Sequence, residues 1–510
     1  MRVSFSGPLT NWDVYVPASG EFSAISVQNV LNHLTFVDAV DGSTLRSDLA
    51  ETWSLTPDGK TIVYGLRKNV KWHDGTPFTS KDVAYSLNRA KAPTDPKTSL
   101  HVSRMKIVDK IEAPDDFTVR MTLSSPSAPF LTQMSIPTML MYPAHVTDLA
   151  KWQANPVGTG PLKFKELRLD NFVEMSKNAD YFKKDEAGRA LPYLDGVRFS
   201  QITDRALTLS AFRAGQLDCL CGFTTDILAE DRDQVARSVP GAKFGVAIMT
   251  VNYIGFNNRP PFDNLKARQA FNIGIDRLTA QQVYAQGQGL YPPTFFVPDR
   301  FGGRWNLTSD ELSKIPGYRV KDGKKDQADL DTAKKLWADS GLDASKFTIS
   351  ILTSSGSTQV LSELTASIID ELAKLIGMKT KNNILPTADH NALLAQASYD
   401  IFNQPGPNSL DDPGDVLIPY ATTGGPSNWA KWSVPKIDQL AGDQQKELDA
   451  AKRVELVRQL QREVMDSAIF VPLNHMGPIF ASQGYVEGVA LTRAFNITTA
   501  HRFERAWLNK

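Results

Sequence analysis

The chain has 510 residues, 56 Lys+Arg against 56 Asp+Glu, and 42% hydrophobic residues. That composition excludes a disordered chain, and the lack of a basic excess argues against a nucleic-acid partner. The length exceeds what one core can bury, so two or three lobes are expected, and no apolar run approaches the roughly 20 residues that span a bilayer.

The chain opens Met1-Arg2-Val3-Ser4-Phe5-Ser6-Gly7-Pro8, without the apolar stretch of a signal peptide. It therefore reads as a cytoplasmic chain or as a mature form with an added Met. The first third is rich in strands and turns. Residues 51–56 and 61–66 flank Pro57-Asp58-Gly59-Lys60, a hairpin turn in which Asp-Gly supplies positive φ. Thr79 and Asp82 start a helix as a capping pair, with Val83 and Leu87 on one face. A second hairpin turns at Asp115-Asp116, between 106–112 and 117–123. Cys219 and Cys221, the only cysteines, share one face of a strand. A bridge between them would be strained, so they read as two small buried apolar residues. A redox pair would want two intervening residues, and a zinc site more ligands.

Helices follow. The spacing predicts them over 328–340, stopped by Gly341, and over 357–376, stopped by Gly377. In the second, Leu361, Leu364, Ile368, Leu372, Leu375 and Ile376 form the stripe. A third is predicted over 446–468, with Leu456, Leu460 and Val464 on one face. Short apolar strands at 347–352 and 379–384 alternate with these helices. This is α/β organisation.

Catalytic signatures are missing. There is no G-x-S-x-G elbow, P-loop or H-E-x-x-H. Gln286-Gly287-Gln288-Gly289 lacks the third glycine of a dinucleotide loop. No two of the seven histidines lie within five residues of each other, so no local metal cluster is readable. His73, inside Trp72-His73-Asp74-Gly75, reads as a turn residue making local hydrogen bonds. A large α/β chain without catalytic signatures suggests binding in a closing cleft.

Several motifs then follow in order. They are Asp48-Leu49-Ala50-Glu51-Thr52-Trp53, Pro57-Asp58-Gly59-Lys60, Trp72-His73-Asp74-Gly75-Thr76-Pro77-Phe78 and Gly158-Thr159-Gly160-Pro161. Gly255-Phe256-Asn257, Pro261-Phe262-Asp263-Asn264, Arg268-Gln269-Ala270 and Ser427-Asn428-Trp429-Ala430-Lys431-Trp432 come after. Together they resemble the family 5 extracytoplasmic solute-binding proteins, the peptide-, nickel- and opine-binding components of ABC importers. The resemblance runs from about Ser23 to the end. It implies a two-lobe periplasmic-binding-protein fold (type II, Venus-flytrap) with an extra β-rich subdomain. Lobe I would be 1–32, 165–250 and 478–510, the subdomain 33–164, and lobe II 251–477. It also implies a periplasmic location.

The resemblance points to ligand residues too. Peptide binders of the family salt-bridge the peptide amine with an Asp four residues before a Pro. Counting back from Pro413 gives Ser409, beside Asn408; Asp411 or Asp412 substitutes if the loop is shifted. The Arg that holds a dipeptide carboxylate is absent from Thr353-Ser354-Ser355-Gly356-Ser357-Thr358, so the zwitterion clamp is altered. Ser355 and Ser357 at a helix start suit a phosphate, carboxylate or sugar hydroxyls; simple capping is the other reading. Trp429 and Trp432 stack on a ligand or pack in the core, and Asn428 orients a loop or ligand. Ser19, Gly20 and Glu21 align with a cleft-lining loop, where Glu21 receives a cation or stays solvated.

The expected function is non-enzymatic. A monomer captures a small polar solute, a peptide or peptide-like molecule, by hinge closure and delivers it to an ABC permease. An opine, sugar conjugate or oligosaccharide is the alternative ligand. A chaperone-like protein or an enzyme is the remote one. No cofactor or metal is expected.

Overall fold

The structure is a computed structural model. It describes residues 1–5, 12–15, 27–38, 44–92, 101–221, 227, 229–246, 250–284, 291–296, 303–355, 359–406, 412–476, 479–489 and 502–510. The chain divides into two compact units, Met1–Ala247 with Pro478–Lys510, and Ile248–Gly477.

The first unit is built on a mixed seven-stranded sheet. Its order is Lys243–Val246, Ile479–Ser482, Cys219–Leu220, Arg2–Phe5, Gly196–Gln201, Phe172–Lys177 and Leu162–Arg168. Arg2–Phe5 runs parallel to both of its neighbours. A separate antiparallel sheet, Ala50–Leu55, Thr61–Leu66, Thr118–Leu123 and Val108–Asp115, holds the two expected hairpins. Gly59 turns the first with φ 68°. The helix Ser80–Lys91 begins as expected, with Asp82 accepting from the Thr79 N–H at 2.8 Å.

The quoted motifs of this unit hold its scaffold together. The Asp48 carboxylate is fully buried. It accepts from Arg502 at 2.6 Å, from Asn32 at 2.8 Å and from the His33 N–H at 2.8 Å, with Lys183 at 2.9 Å. Burial opposes its charge, but Arg502 and Lys183 outweigh that and hold it well below the usual carboxylate range. His73 joins two motifs. Its Nδ1 accepts from the Gly158 N–H at 3.2 Å and its Nε2 lies 3.0 Å from the Gly160 carbonyl. Burial lowers it to about 4, so the ring is neutral. Gly158 must be glycine here, because a Cβ would sit 1.8 Å from the Val30 carbonyl oxygen. Cys219 and Cys221 correct the sequence reading. Both are buried, but they are joined as a disulfide.

The second unit is built on a five-stranded sheet. Its order is Lys379–Leu385, Thr348–Ser354, Ile401–Pro405, Thr250–Phe256 and Phe470–Met476. The helices Leu265–Gly274 and Gln359–Ile376 cover one face around Ile254, Phe256, Phe271, Ile351 and Ile369. Thr365, Ile368, Ile369, Leu372 and Ala373 carry the buried stripe of the second helix, whereas Leu375 is 41% exposed. The expected start at residues 357–358 and the side chain of Leu361 lie outside the described residues.

The helix Gln327–Asp339 forms and Gly341 follows it with φ 73°. The helix expected over 446–468 forms as Ala450–Ser467, starting four residues later, after a separate helix Pro435–Lys446. Asp449 breaks the run because its carboxylate accepts from the Lys452 N–H at 2.9 Å as an N-cap. At the other end, three side chains of the Arg268-Gln269-Ala270 region close that second helix. Arg268 donates to the Ser467 carbonyl, Gln269 to Asp466 and Asn272 to Met465. They satisfy carbonyls that a helix C-terminus leaves open.

Candidate functional site at one edge of the five-stranded sheet

Strand register gathers five chain ends on one edge of the second unit's sheet. Thr348–Ser354 pairs in parallel with Lys379–Leu385, Ser354 opposite Leu385. It also runs parallel to Ile401–Pro405. The strand Thr250–Phe256 is antiparallel, so its start lies beside Pro405, with Asn252 opposite. Thr250 in turn faces Met476, the end of the last strand. In open α/β sheets the carboxyl ends of parallel strands are where ligands bind.

This edge offers neutral hydrogen-bonding groups. The Ser354 and Thr387 hydroxyls are 3.1 Å apart. The Ser355 N–H donates to the Leu385 carbonyl at 2.7 Å, which brings the loop after Ser354 onto the edge. Asn252 and Asn474 face each other across the strands, Nδ2 donating to Oδ1 at 3.4 Å, and both are buried. Gly406 is held by its N–H to the Val251 carbonyl at 2.9 Å, and a Cβ there would strike the Tyr253 ring at 2.0 Å.

Of the residues singled out from sequence, Ser355 sits on this edge. Asp412 lies just beyond Gly406 in the chain, and its carboxylate is already committed. It is buried and accepts from Arg453 Nη2 at 2.6 Å and from the Gly414 N–H at 2.8 Å. Burial nevertheless pushes Asp412 up from the usual carboxylate value. Arg453 also donates to Gln444 and stacks 4.9 Å from the Trp305 ring centre. The expectation that Asp412 could replace the amine anchor therefore meets a carboxylate engaged inside the unit.

Asn428, Trp429 and Trp432 are engaged by neighbours within the second unit. Asn428 clasps its own loop: Nδ2 donates to the Thr422 and Trp432 carbonyls, and Oδ1 accepts from the Trp432 N–H. Trp429 packs edge-on against Phe402 at 5.3 Å and Tyr420 at 5.8 Å. Trp432 Nε1 donates to the Phe256 carbonyl at 2.8 Å, and Arg268 stacks 4.2 Å from its ring. Phe256 ends the strand that begins at the candidate edge, roughly 20 Å away for seven extended residues. These contacts support the packing reading of Trp432. Ser19, Gly20, Glu21, Ser357, Asn408, Ser409 and Asp411 lie outside the described residues.

The sequence reading missed Thr387 and the Asn252–Asn474 pair. A signal existed for the pair: Asn252 interrupts the apolar run Val251-Asn252-Tyr253-Ile254, and Asn474 ends the run Phe470-Val471-Pro472-Leu473. Among the described residues, no group of three or more His, Cys, Asp or Glu converges to hold a metal ion. No described helix is long and apolar enough to cross a membrane.

Comparison with known proteins places the chain. The family described as bacterial extracellular solute-binding proteins, family 5 Middle, matches residues 44–428. A provisionally assigned ABC transporter peptide-binding protein of Brucella ovis is 33% identical over 264 residues, 50% of this chain and 47% of that protein. This chain thus spans about half the length of the Brucella relative it matches. Heme-binding protein A of Haemophilus influenzae is 28% identical over 489 residues, 88% of this chain and 82% of that protein. Among solved structures, the binding protein AgaA of A. tumefaciens R10, in complex with agropinic acid, matches with a TM-score of 0.74. It covers 100% of this chain and 98% of that one at 22% identity, a likeness of fold. The fold is the two-lobe α/β fold of periplasmic binding proteins. With its motifs in order and most of its length matched, the chain belongs to the bacterial extracellular solute-binding proteins of family 5.

Proposed function

We propose that this chain is the periplasmic, monomeric binding component of an ABC importer. It captures a small polar organic solute and hands it to the membrane permease without chemical turnover. The observation that carries the reading is the carboxyl edge of the five-stranded sheet, a gathering of strand ends and neutral polar groups in a chain of this family. The resemblance supports Ser355, Ser357, Asn408, Ser409 and Asp411, and Ser19, Gly20 and Glu21, as ligand residues. Residues 33–164 form the extra subdomain, a reading supported by their own four-stranded sheet.

A peptide or peptide-like molecule is the broad expectation, and the Brucella relative's name supports it. One observation favours an opine, sugar conjugate or oligosaccharide instead. Asp412 is tied to Arg453, and Ser409 stands where peptide binders place their amine anchor. Agropinic acid bound to a protein of the same fold supports that second reading.

A thermal-shift screen tests both. It would include di- to pentapeptides, agropinic acid, phosphorylated sugars, oligosaccharides, haem and nickel. A solute at 100 times its dissociation constant stabilises by about 2.7 kcal/mol. Peptide responses lost on Asp411→Asn would assign the amine anchor to Asp411. Responses to agropinic acid or oligosaccharides alone would select the second reading. Turnover of any bound solute would overturn the non-enzymatic role.

A further inference from the structure

Cys219 and Cys221 have no part in the binding role. Both are fully buried, and their Sγ atoms are joined. Cys219 lies inside the seven-stranded sheet, beside Val3 on one side and Ser482 on the other. Its flanks are held independently. The Asp218 N–H donates to the Arg2 carbonyl, and the Asp218 carboxylate takes Arg2 and the Tyr485 hydroxyl, both at 2.7 Å.

The backbone between the two cysteines is contracted. Their Cα atoms are 5.3 Å apart, whereas two steps of extended strand cover about 6.6 Å. A pair of unlinked thiols packed as small apolar side chains gives no reason for that contraction. A cross-link does, since 5.3 Å lies within the separation that disulfides span. The strand accordingly consists of Cys219–Leu220 alone, while its neighbours in the sheet hold four residues each.

We propose that Cys219 and Cys221 are a modification site, an intrachain disulfide made when the chain enters an oxidising compartment, which ends the interior strand Cys219–Leu220 and holds it in the sheet. The oxidant is a disulfide-carrying dithiol carrier protein. One cysteine thiolate attacks the carrier disulfide, forming a mixed disulfide and releasing one carrier thiol. The second thiolate then attacks the sulfur of the first cysteine and expels the other carrier thiol. Two electrons pass to the carrier, which leaves as a dithiol, and the two cysteine protons balance its two new S–H groups. Because both sulfurs are buried in the folded unit, the exchange precedes closure of the sheet.

The test needs no ligand, so its failure is distinguishable from failure of the transport reading. The full chain is made in two ways, exported to a bacterial periplasm and retained in the cytosol, and each form is purified without reductant. The exported form is expected to have an intact mass about 2 Da below that of the reduced chain. It should take up no maleimide on unfolding until a reductant is added. The retained form is expected to take up two maleimides on unfolding. Two reactive thiols in the exported form would overturn the site. A bridge in both forms would overturn its dependence on the compartment. The double variant Cys219→Ala with Cys221→Ala tests the structural half. It is expected to melt roughly 2–4 °C lower and to exchange the Leu220 amide at least tenfold faster. Unchanged melting and exchange would overturn the claim that the cross-link holds the strand.

Discussion

The two units both bury carboxylates paired with arginine, such as Asp412 with Arg453 and Asp329 with Arg319 in the second, but they differ in their largest hubs. In the first, the hubs are carboxylates: Asp48 gathers Arg502, Lys183, Asn32 and His33, and Asp218 gathers Arg2, Tyr485 and Lys510. In the second, the hubs include guanidinium groups satisfied by carbonyl oxygens. Arg277 donates to Pro472, Asn272 and Gly317, and Arg268 to Phe262, Asp263 and Ser467. A carboxylate hub discharges in acid, whereas a guanidinium hub does not titrate in the accessible range. The first unit also buries neutral histidines. Burial lowers His33 and His101 to about 3 and His73 to about 4. In the second, burial lowers His390 in the same sense, but that group is not a hub. Both units hold arginine-paired carboxylates, but the three histidines that burial lowers furthest, His33, His73 and His101, all lie in the first.

Acid gives the largest contrast. The folded values of His33, His73 and His101 lie below the ordinary 6.5. The unfolded chain therefore takes up their protons first. Stability is intact above about pH 6.5 and falls as pH drops toward 4, by about 1.4 kcal/mol per histidine for each pH unit. Hydrogen exchange, corrected for intrinsic rates, should show the first unit opening before the second between pH 6.5 and 4.5. Simultaneous opening would break the comparison.

Next comes Asp48→Ala, which leaves Arg502 and Lys183 buried without their carboxylate. A loss of about 3–5 kcal/mol is expected, measured by urea unfolding and confined to the first unit. In the second unit, Arg277→Met strands the Asn272, Gly317 and Pro472 carbonyls. It should cost roughly 1–3 kcal/mol, with no change in its pH dependence, which sharpens the contrast with Asp48. The smallest effect belongs to Thr79→Ala. It removes one half of a capping pair at the start of Ser80–Lys91 and should cost about 1 kcal/mol at any pH from 5 to 8, measured by thermal melting.

Much of the scaffold was legible because its signals are local. Pro57-Asp58-Gly59 specifies its turn within four residues, and Thr79 with Asp82 specifies a helix start within one turn. The helix expected over 446–468 formed, and only its start was misplaced, at Lys446 rather than Ala450, with Leu448 between the two helices. That residue is 42% exposed, and only the capping geometry of Asp449 marks the break. The surroundings of Trp432 were not legible for a longer-range reason. Its position in the motif says nothing of the Phe256 carbonyl, 176 residues away, that receives its indole N–H. Asp412 is similar: its meaning depends on Arg453, 41 residues away in the chain. Ser355 follows the strand Thr348–Ser354 and falls at that strand's carboxyl end, a placement that a polar loop between a strand and a helix makes legible. The quoted family motifs of the first unit proved to be hubs and close approaches, such as Asp48 and Gly158. Family membership was therefore much easier to read than ligand identity.

The strand Ile479–Ser482 lies between Cys219–Leu220 and Lys243–Val246, in the interior of the seven-stranded sheet. Synthesis proceeds from the amino end, so a ribosome delivers every strand of the second unit before it delivers this one. The first unit therefore waits, with a gap through its sheet and Asp48 still without Arg502, until nearly the last residue has emerged. A nascent chain stalled after residue 477 would hold the complete strand set of one unit and a split sheet in the other. Loss of the final 33 residues would thus remove an interior element rather than trim a tail.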